Sequence, residues 1–316
     1  MSVAYVFPGQ GSQVVGMGKA LADAFPEAKA VFDAADDALG EKLSTLCFEG
    51  PEDALKLTAN TQPAILTVSV AAHAVLRKRF AAAPAFVAGH SLGEYSALVA
   101  AGAMKLSDAV RSVRARGTFM QEAVPAGLGA MSAVLGLESA QVTAICAQAQ
   151  AETQGWVVSP ANFNDPSQTV IAGHAPAVER AAALLKAAGA KRVLPLPVSA
   201  PFHCALMAPV VERLKGTLGA VTIAPLEVPV VSNVEAAPNQ DAAKVVPLLL
   251  AQVTGSVRWV ETVQALEGLG VTKVVELGPG KVLCGLVKRI AKGIECVNVE
   301  DPAGLEKAVA FLGGTP

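Results

Sequence analysis

The stretch Ala85–Ala97, which reads A-F-V-A-G-H-S-L-G-E-Y-S-A, constrains the fold of this chain more than any other. Apolar residues typical of a buried parallel strand run into Gly89, and the pattern becomes helical after Gly93. Ser91 therefore stands at the apex of a sharp turn between a strand and a helix. Side chains two positions before and after such a serine would collide, and glycine occupies both positions. The pattern predicts a nucleophile elbow on a parallel sheet.

The same turn indicates where negative charge can be stabilised. The first N–H groups of a helix have no partner inside it. We therefore expect the main-chain N–H of Leu92 to donate to an oxyanion that forms when Ser91 attacks a carbon atom. A glycine-rich turn that merely contains a serine is the alternative interpretation of G-x-S-x-G, but the strand before it and the helix after it favour catalysis.

The composition favours an α/β fold whose large domain contains a mostly parallel sheet. Hydrophobic residues make up 52% of the 316 residues, charged residues 16% and aromatic residues 4%, which suits helices packed on such a sheet. The net charge of −2 gives no electrostatic reason to expect nucleic acid. The apolar stretch Pro63–Leu76 is too short and too polar to span a membrane, and the N-terminal residues lack the pattern of a secretory signal.

The cysteines are consistent with a cytoplasmic location. There are five, and no two have C-x-x-C spacing. They are Cys47, Cys146, Cys204, Cys284 and Cys296. We expect free thiols in a reducing cytosol and no zinc site.

The order of elements changes in the middle of the chain. From residue 127 to residue 197 the periodicity predicts β-α-β-β-α-β, the pattern of a ferredoxin-like module. We expect this module to be inserted into a large α/β catalytic domain formed by residues 1–126 and 198–316.

Proline and capping residues predict the helix boundaries of the large domain. Two helical regions are predicted, Gly18–Leu39 and Asp53–Phe80, and they are expected to be broken at Pro26 and Pro63. A later helix is expected to begin at Ser107 or Asp108 because these residue types cap helix N-termini.

A serine hydroxyl needs a base before it becomes a nucleophile, and the chain has four histidines. His73 lies within an apolar helical stretch and His174 at a turn of the module, so both are interpreted as structural. His90 precedes Ser91 and should point away from it, which indicates a residue that lines the site. His203 lies in an irregular, proline-containing segment and is the predicted base.

An acidic third member of the site is harder to place. Asp165 and Glu179 lie between Ser91 and His203, in the chain order of α/β-hydrolases. Both fall in the inserted module, however. A Ser–His dyad, with a backbone carbonyl orienting the histidine, is therefore the favoured interpretation.

Five motifs follow one another along the chain in an order that identifies a family. They are F-P-G-Q-G-S-Q near the start, G-H-S-L-G-E-Y at the elbow, R-G-x-F-M-Q-E-A-V from Arg116, P-x-H-C around His203 and E-L-G-P-G-K-V-L from Glu276. From about Val6 to Lys288, inserted module included, the chain resembles the bacterial malonyl-CoA:acyl carrier protein transacylases.

The resemblance implies a role for each matching residue. Ser91 matches the nucleophile and His203 the base, in agreement with the residues read alone. Gln10 matches the glutamine that shapes the oxyanion site beside the Leu92 N–H. Gln252 matches the residue whose backbone carbonyl orients the histidine.

The resemblance also implies how substrate is selected. Arg116 matches the arginine that binds the substrate carboxylate, whereas the residues alone could not choose it over Arg111 or Arg114. Phe202 departs from the serine found before the histidine in many relatives, although acyltransferase domains that select malonyl groups often carry Phe there.

The implied reaction is transfer of a malonyl group from malonyl-CoA to the phosphopantetheine thiol of acyl carrier protein. It would pass through a malonyl-serine intermediate with ping-pong kinetics, supply malonyl carrier protein for fatty acid elongation, and need no metal or redox cofactor. The glycine-rich loops near residues 9–13 and 278–281 lack the spacing of phosphate-binding loops. The alternatives are a serine thioesterase or hydrolase, a polyketide-type acyltransferase with another acyl preference, and a non-catalytic acyl-binding module.

Basic clusters at Arg77–Arg79, Lys191–Arg192 and Lys288–Arg289 are candidates for docking an acidic carrier protein. Solvated helix ends are the simpler interpretation of each.

Overall fold

A computed structural model describes residues 2–125, 127–198 and 200–314 of the chain. The strands are β1 Ser2–Phe7, β2 Phe86–Gly89, β3 Gly129–Leu135, β4 Val158–Asp165, β5 Gln168–His174, β6 Arg192–Pro195, β7 Val230–Val231, β8 Pro238–Asn239, β9 Val271–Leu277 and β10 Glu295–Val299. They form two separate sheets.

The helices connect and cover these strands. They are α1 Lys19–Ala24, α2 Pro26–Leu39, α3 Leu43–Glu49, α4 Glu52–Lys56, α5 Thr58–Arg79, α6 Gly93–Ala100, α7 Leu106–Glu122, α8 Ser139–Glu152, α9 Ala175–Ala187, α10 Ala208–Gly219, α11 Ala242–Thr254, α12 Trp259–Gly268, α13 Val282–Ile290 and α14 Pro302–Leu312. A 3-10 turn at Ala205–Met207 precedes α10.

The larger sheet has the strand order β10-β9-β1-β2-β7-β8. Its pairs are parallel except for β8, which runs antiparallel to β7. Along β1, alternate residues point to opposite faces. Tyr5 and Phe7 join one hydrophobic core and Ala4 and Val6 another, so both faces of the sheet are covered. The predicted parallel α/β domain is confirmed.

The smaller sheet is antiparallel, with the order β4-β5-β3-β6. Helices α8 and α9 bury residues such as Val142 and Leu185 in a core of their own with β3 and β5. This order, with two helices joining the strands as β-α-β-β-α-β, is that of the predicted ferredoxin-like module. The domain boundaries at residues 126/127 and 197/198 stay a prediction; Ala126 and Ser199 lie outside the described residues.

Two predicted helix boundaries are wrong. Pro63 does not break a helix but lies buried inside α5, because the packing of α5 between neighbouring helices outweighs the loss of one hydrogen bond. Helix α7 begins at Leu106, with Lys105 at the cap position, so Ser107 and Asp108 lie in its first turn. The break at Pro26 is confirmed, since Pro26 is the first residue of α2.

The expectation of five free thiols is also wrong. Cys284 and Cys296 form a disulfide, with their Cα atoms 5.3 Å apart. Cys284 lies near the start of α13, which leaves the end of β9, and Cys296 lies on β10, which pairs with β9. The topology therefore brings together two cysteines that lie 12 residues apart in the chain, without any C-x-x-C spacing. Cys47, Cys146 and Cys204 are free and buried.

No helix in the described part of the chain combines the length and apolarity needed to cross a membrane. The described residues also contain no group of three or more His, Cys, Asp or Glu side chains placed to hold a metal ion.

Candidate active site

The predicted elbow connects β2 to α6, and Ser91 lies at its apex with a φ of 54°. A side chain at Gly89 would place its Cβ 1.9 Å from the carbonyl carbon of Gly93, and one at Gly93 would place it 2.2 Å from the Phe7 oxygen. Both positions therefore require glycine because the backbone segments approach so closely. The strained serine is the outcome that the G-x-S-x-G pattern predicts.

His203 is the histidine that contacts the Ser91 hydroxyl. Its Nε2 atom lies 2.7 Å from the Ser91 Oγ atom, and its Nδ1 atom lies 2.9 Å from the Gln252 carbonyl oxygen. A carbonyl oxygen can only accept, so Nδ1 carries the proton and Nε2 is free to accept one from Ser91. The arrangement is that of a dyad with an orienting carbonyl.

The electrostatics of this pair suit a neutral base. His203 is buried, and burial together with the nearby Arg116 charge lowers its pKa from 6.5 to about 3. The imidazole is therefore uncharged at neutral pH and can take the hydroxyl proton.

Neither Asp165 nor Glu179, the acidic candidates for a hydrolase-type triad, takes the place of the Gln252 carbonyl as the partner of His203 Nδ1. Asp165 accepts hydrogen bonds from Ser167 and forms an ion pair with Arg289 at 2.7 Å. Glu179 lies on α9 of the small module. The contacts of His203 thus differ from those of a Ser–His–Asp triad.

Arg116 on α7 points its guanidinium at the same hydroxyl. Its Nη2 atom lies 3.1 Å from Ser91 Oγ and 2.9 Å from Gln252 Oε1, and its Nη1 atom lies 2.8 Å from Gln62 Oε1. The residue is 1% exposed, and no carboxylate within the described ranges forms an ion pair with it. A buried guanidinium partnered by neutral groups beside a nucleophile is suited to bind a carboxylate brought by a substrate.

The neighbouring arginines have other partners. Arg111 pairs with Asp108 at 2.9 Å, and Arg114 contacts Glu41 and Asn60. The structure thus separates three arginines that the sequence could not rank.

The predicted oxyanion site lies at the start of α6. Leu92 occupies the cap position of that helix, and its N–H has no acceptor among the residues described. Gln10 lines the cavity with Ser91 and His203, and its side-chain Nε2 donates to Thr58 Oγ1 at 3.3 Å. Both predicted groups therefore reach the site, with the Leu92 N–H free to donate to a developing oxyanion.

The Ser91 side chain lines a cleft between the large domain and the small module. A cavity of about 110 Å³ beside Ser91 is lined by Met131, Asn162 and Leu196 of the module and by Phe202. An adjoining cavity of about 150 Å³ lies between the Gly9–Ser12 loop and α13. His90 lines both cavities, and its Nε2 atom lies 2.9 Å from Asn164 Oδ1 on β4.

Three buried side chains of the site were not found by sequence reasoning. Glu94 accepts hydrogen bonds from the Gln252 side chain at 2.8 Å and from the Asn233 N–H at 3.0 Å. Asn233 Oδ1 in turn accepts the Ser91 N–H at 2.7 Å. Gln62 supports Arg116. Of these residues only Glu94 lies within one of the five motifs, and its position there does not reveal that it faces inward.

The two histidines interpreted as structural lie away from the nucleophile. The ring of His73 packs edge-on against Tyr5 and Phe7, and burial lowers its pKa to about 4. His174 stacks on Trp156, and its Nδ1 accepts the Val157 N–H.

Comparison with known proteins places this architecture in a family. The family model described as acyl transferase domain matches residues 4–306. The chain is 49% identical over 306 residues to the malonyl CoA-acyl carrier protein transacylase of Salmonella typhimurium, covering 97% of this chain and 98% of that protein. It is 49% identical over 312 residues to the Bacillus subtilis protein of the same name, covering 98% and 97%.

Solved structures agree with this similarity. An acyl carrier protein S-malonyltransferase from Vibrio cholerae superposes with a TM-score of 0.95 at 48% identity, covering 98% of this chain and all of that one (100%). A malonyl-transacylase in complex with its type II PKS acyl-carrier protein also gives 0.95, at 46% identity and with 98% and 100% coverage.

Proposed function

The chain belongs to the acyl transferase family, within its malonyl CoA-acyl carrier protein transacylases, and we propose that it transfers malonyl groups from malonyl-CoA to acyl carrier protein through an ester on Ser91. The observation that carries this proposal is the convergence of two groups on one hydroxyl. His203 Nε2 lies 2.7 Å and Arg116 Nη2 lies 3.1 Å from Ser91 Oγ.

The first half-reaction acylates the enzyme. The malonyl carboxylate binds the Arg116 guanidinium, and the neutral His203 takes the proton of Ser91. Ser91 Oγ attacks the thioester carbonyl, and the Leu92 N–H and the Gln10 region stabilise the oxyanion. When the tetrahedral intermediate collapses, the C–S bond breaks and the imidazolium returns the proton to the CoA thiolate.

The second half-reaction runs through the same groups in reverse. The phosphopantetheine thiol of the carrier protein gives its proton to His203 and attacks the ester carbonyl. The bond between the acyl carbon and Ser91 Oγ breaks, the imidazolium protonates Ser91 Oγ, and malonyl carrier protein leaves. CoA departs before the carrier protein reacts, so the kinetics are ping-pong.

Each step moves a proton or an acyl group between groups already named. We therefore propose that the reaction uses no metal or redox cofactor. The product is the elongation unit of fatty acid synthesis, and we propose that the enzyme acts in the cytoplasm.

Arg116 is the proposed origin of malonyl selectivity. A guanidinium can bind a carboxylate through two charge-assisted hydrogen bonds, whereas an acetyl group offers it no charge. Because Arg116 is buried, an unpaired substrate end would leave its charge uncompensated in a site of low polarity.

A serine hydrolase is the competing function, because it shares the elbow and differs only in using water for deacylation. Among the described residues no carboxylate contacts His203, and this, together with the arginine at the acyl end, favours transfer over hydrolysis. A polyketide-type acyltransferase differs only in acyl preference and has the same chemistry.

The decisive experiment follows the acyl group on the protein. Malonyl-CoA is mixed with the enzyme, and intact-protein mass spectrometry records the malonyl adduct before and after addition of holo acyl carrier protein. We expect an adduct that persists in buffer and moves to the carrier protein. Rapid loss to free malonate without carrier protein would identify a hydrolase.

Two serine variants complete the test. Ser91→Ala should form no adduct. The matched control is Ser96→Ala on the same helix, where a buried hydroxyl has no partner among the described groups. It should acylate like the parent enzyme. An adduct on Ser91→Ala would mean that another residue is the nucleophile.

The salt dependence of the carrier-protein KM tests how the carrier protein docks. Of the basic clusters, Arg289 is already paired with Asp165 and Arg77 donates to the Ala81 oxygen. We propose that the remaining exposed charges attract an acidic partner. The carrier-protein KM should then rise with salt, and a salt-independent KM would argue against electrostatic docking.

A further inference from the structure

A buried carboxylate lies behind the active site without touching the reacting atoms. Glu94 is the second residue of α6, three positions after Ser91, and is 3% exposed. Its Oε2 atom accepts from Gln252 Nε2 at 2.8 Å and from the Asn233 N–H at 3.0 Å. In the described ranges no lysine, arginine or histidine forms an ion pair with it. Glu94 takes no part in the proton and acyl transfers proposed for Ser91 and His203.

The Gln252 side chain lies between this carboxylate and Arg116. Its Oε1 accepts from Arg116 Nη2 at 2.9 Å, while its Nε2 donates to Glu94. A guanidinium can only donate and an ionised carboxylate can only accept. The carboxamide therefore has a single orientation that satisfies both neighbours, and a flipped amide would turn its NH₂ group towards the guanidinium.

The same carboxylate supports the main chain of the nucleophile. Gln252 Nε2 also donates to the Ser91 carbonyl oxygen at 3.0 Å, and Asn233 Oδ1 accepts the Ser91 N–H at 2.7 Å. Asn233 is itself held, because its Nδ2 donates to the Gly89 oxygen at 2.6 Å. Both side-chain amides that hold the strained turn are thus hydrogen-bonded to Glu94, one through its side chain and one through its main chain.

We propose that Glu94 is a positioning residue for malonyl selectivity: by fixing the orientation of the Gln252 carboxamide, it holds the Arg116 guanidinium where it meets the substrate carboxylate beside Ser91. This inference rests on the proposed role of Arg116. Its consequence is specific, because a misplaced guanidinium weakens malonyl transfer while leaving acetyl transfer, which does not need that charge, less affected.

The electrostatic surroundings agree with this geometry. Burial raises the pKa of Glu94 to about 7, while the hydrogen bonds from Asn233 and Gln252 and the charge of Arg116 act in the opposite direction. Near pH 7 the carboxyl is therefore only partly ionised, and its Oε2 atom can accept both hydrogen bonds in either protonation state, because the proton of the neutral form can lie on Oε1.

Two substitutions of Glu94 separate hydrogen bonding from charge. Glu94→Gln keeps an oxygen that can accept from Gln252 and Asn233, whereas Glu94→Leu has a similar volume and no acceptor. The measured quantity is the ratio of acylation kcat/KM for malonyl-CoA to that for acetyl-CoA. We expect Glu94→Leu to lower this ratio at least about tenfold, as loss of one hydrogen bond to a charged group would, and Glu94→Gln to retain most of it.

A double-mutant cycle tests whether Glu94 acts through Arg116. In an Arg116→Ala background, Glu94→Leu should change the ratio less than about twofold, because there is no guanidinium left to position. Glu276→Leu is the matched control, since Glu276 is an equally buried carboxylate on β9. It should leave the ratio within about twofold of the parent.

The outcomes distinguish this inference from the proposed function. If Arg116→Ala alone leaves the ratio unchanged, the proposed role of Arg116 fails. If Arg116→Ala abolishes the preference for malonyl-CoA but Glu94→Leu lowers kcat/KM equally for both acyl-CoA substrates, only the positioning role of Glu94 is overturned. Should Glu94→Leu not fold, Gln252→Met breaks the same relay while keeping the main-chain carbonyl bound to His203, and an unchanged ratio there overturns the inference equally.

Discussion

His203 Nε2 lies 2.7 Å from Ser91 Oγ although 112 residues separate the two in the chain. The inserted module occupies most of that separation, and the chain returns from it directly to the histidine. Each residue of the pair has a left-handed backbone, with φ of 54° at Ser91 and 59° at His203. Non-glycine residues adopt this region rarely, and strain of this kind concentrates at functional sites.

Removal of the Arg116 charge should raise the pKa of His203. Burial and the guanidinium together hold that pKa at about 3, because a nearby positive charge disfavours the imidazolium. In Arg116→Ala the pKa should move upward towards the ordinary value. Titration of the imidazole ¹⁵N shifts by NMR measures this. Arg111→Ala, which removes an exposed arginine from the same helix, should leave the titration unchanged; equal titrations in both variants would contradict the assignment.

Arg116→Ala should reduce malonyl transfer by at least about tenfold while changing acetyl transfer little. The expectation follows from the loss of a charge-assisted contact worth about 1.5–3 kcal/mol. Transfer from each acyl-CoA to carrier protein gives the two rates. Arg114→Ala serves as control, because its guanidinium contacts Glu41 and Asn60 rather than Ser91. Equal losses for both acyl groups would remove Arg116 from the selectivity role.

Gly93→Ala should destabilise the protein by about 1–3 kcal/mol or more. Its new methyl group would meet the Phe7 oxygen at 2.2 Å, so β1 or α6 must shift. The control is Gly216→Ala inside α10, where the added Cβ has no neighbour within 4 Å. There a gain of about 0.5–1 kcal/mol is expected from the better helix propensity of alanine. Urea denaturation of both variants measures the free energy of unfolding. An unchanged value for Gly93→Ala would mean that the elbow can accommodate a methyl group.

Glu276 should make the protein less stable as the pH rises. Burial raises its pKa from 4.5 to about 7 even though the Leu283 and Cys284 N–H groups donate to it. Between these two pKa values the folded state holds a proton that the unfolded state has lost. The stabilisation from the neutral Glu276 carboxyl is therefore fully present below pH 4.5 and is lost as the pH rises through 7. The free energy of unfolding should differ between low and high pH by an amount on the order of 3 kcal/mol.

Glu276→Gln isolates this contribution because glutamine does not titrate. The free energy of unfolding of the parent relative to the variant should fall between pH 5 and pH 8. Denaturant unfolding of both proteins at several pH values measures it. A difference that stays constant with pH would show that the Glu276 carboxyl ionises as it does in the unfolded chain.

The sequence predicted the parts of this structure that depend on local chemistry. The elbow, the parallel sheet and the β-α-β-β-α-β module follow from glycine spacing and periodicity, and each is confirmed. Pro63 was misjudged because tertiary packing outweighs a local breaker. The Cys284–Cys296 pairing was missed because it depends on which strands become neighbours.

The site divides in the same way. The roles of these residues stay predictions: those of Ser91 and His203 came from residue types alone, while those of Arg116, Gln10 and Gln252 required the family resemblance. Asn233 and Glu94 escaped both approaches. They act on the main chain or on another side chain, and such contacts leave no spacing pattern in a sequence.

The cleft beside Ser91 is lined by side chains of the large domain and of the small module. Within the residues described, every hydrogen bond to Ser91 comes from the large domain, from Glu94, His203, Arg116, Asn233 and Gln252. The module supplies walls, among them Met131. Substitutions in this independently packed unit can therefore reshape the cleft while the side chains that contact Ser91 stay unchanged.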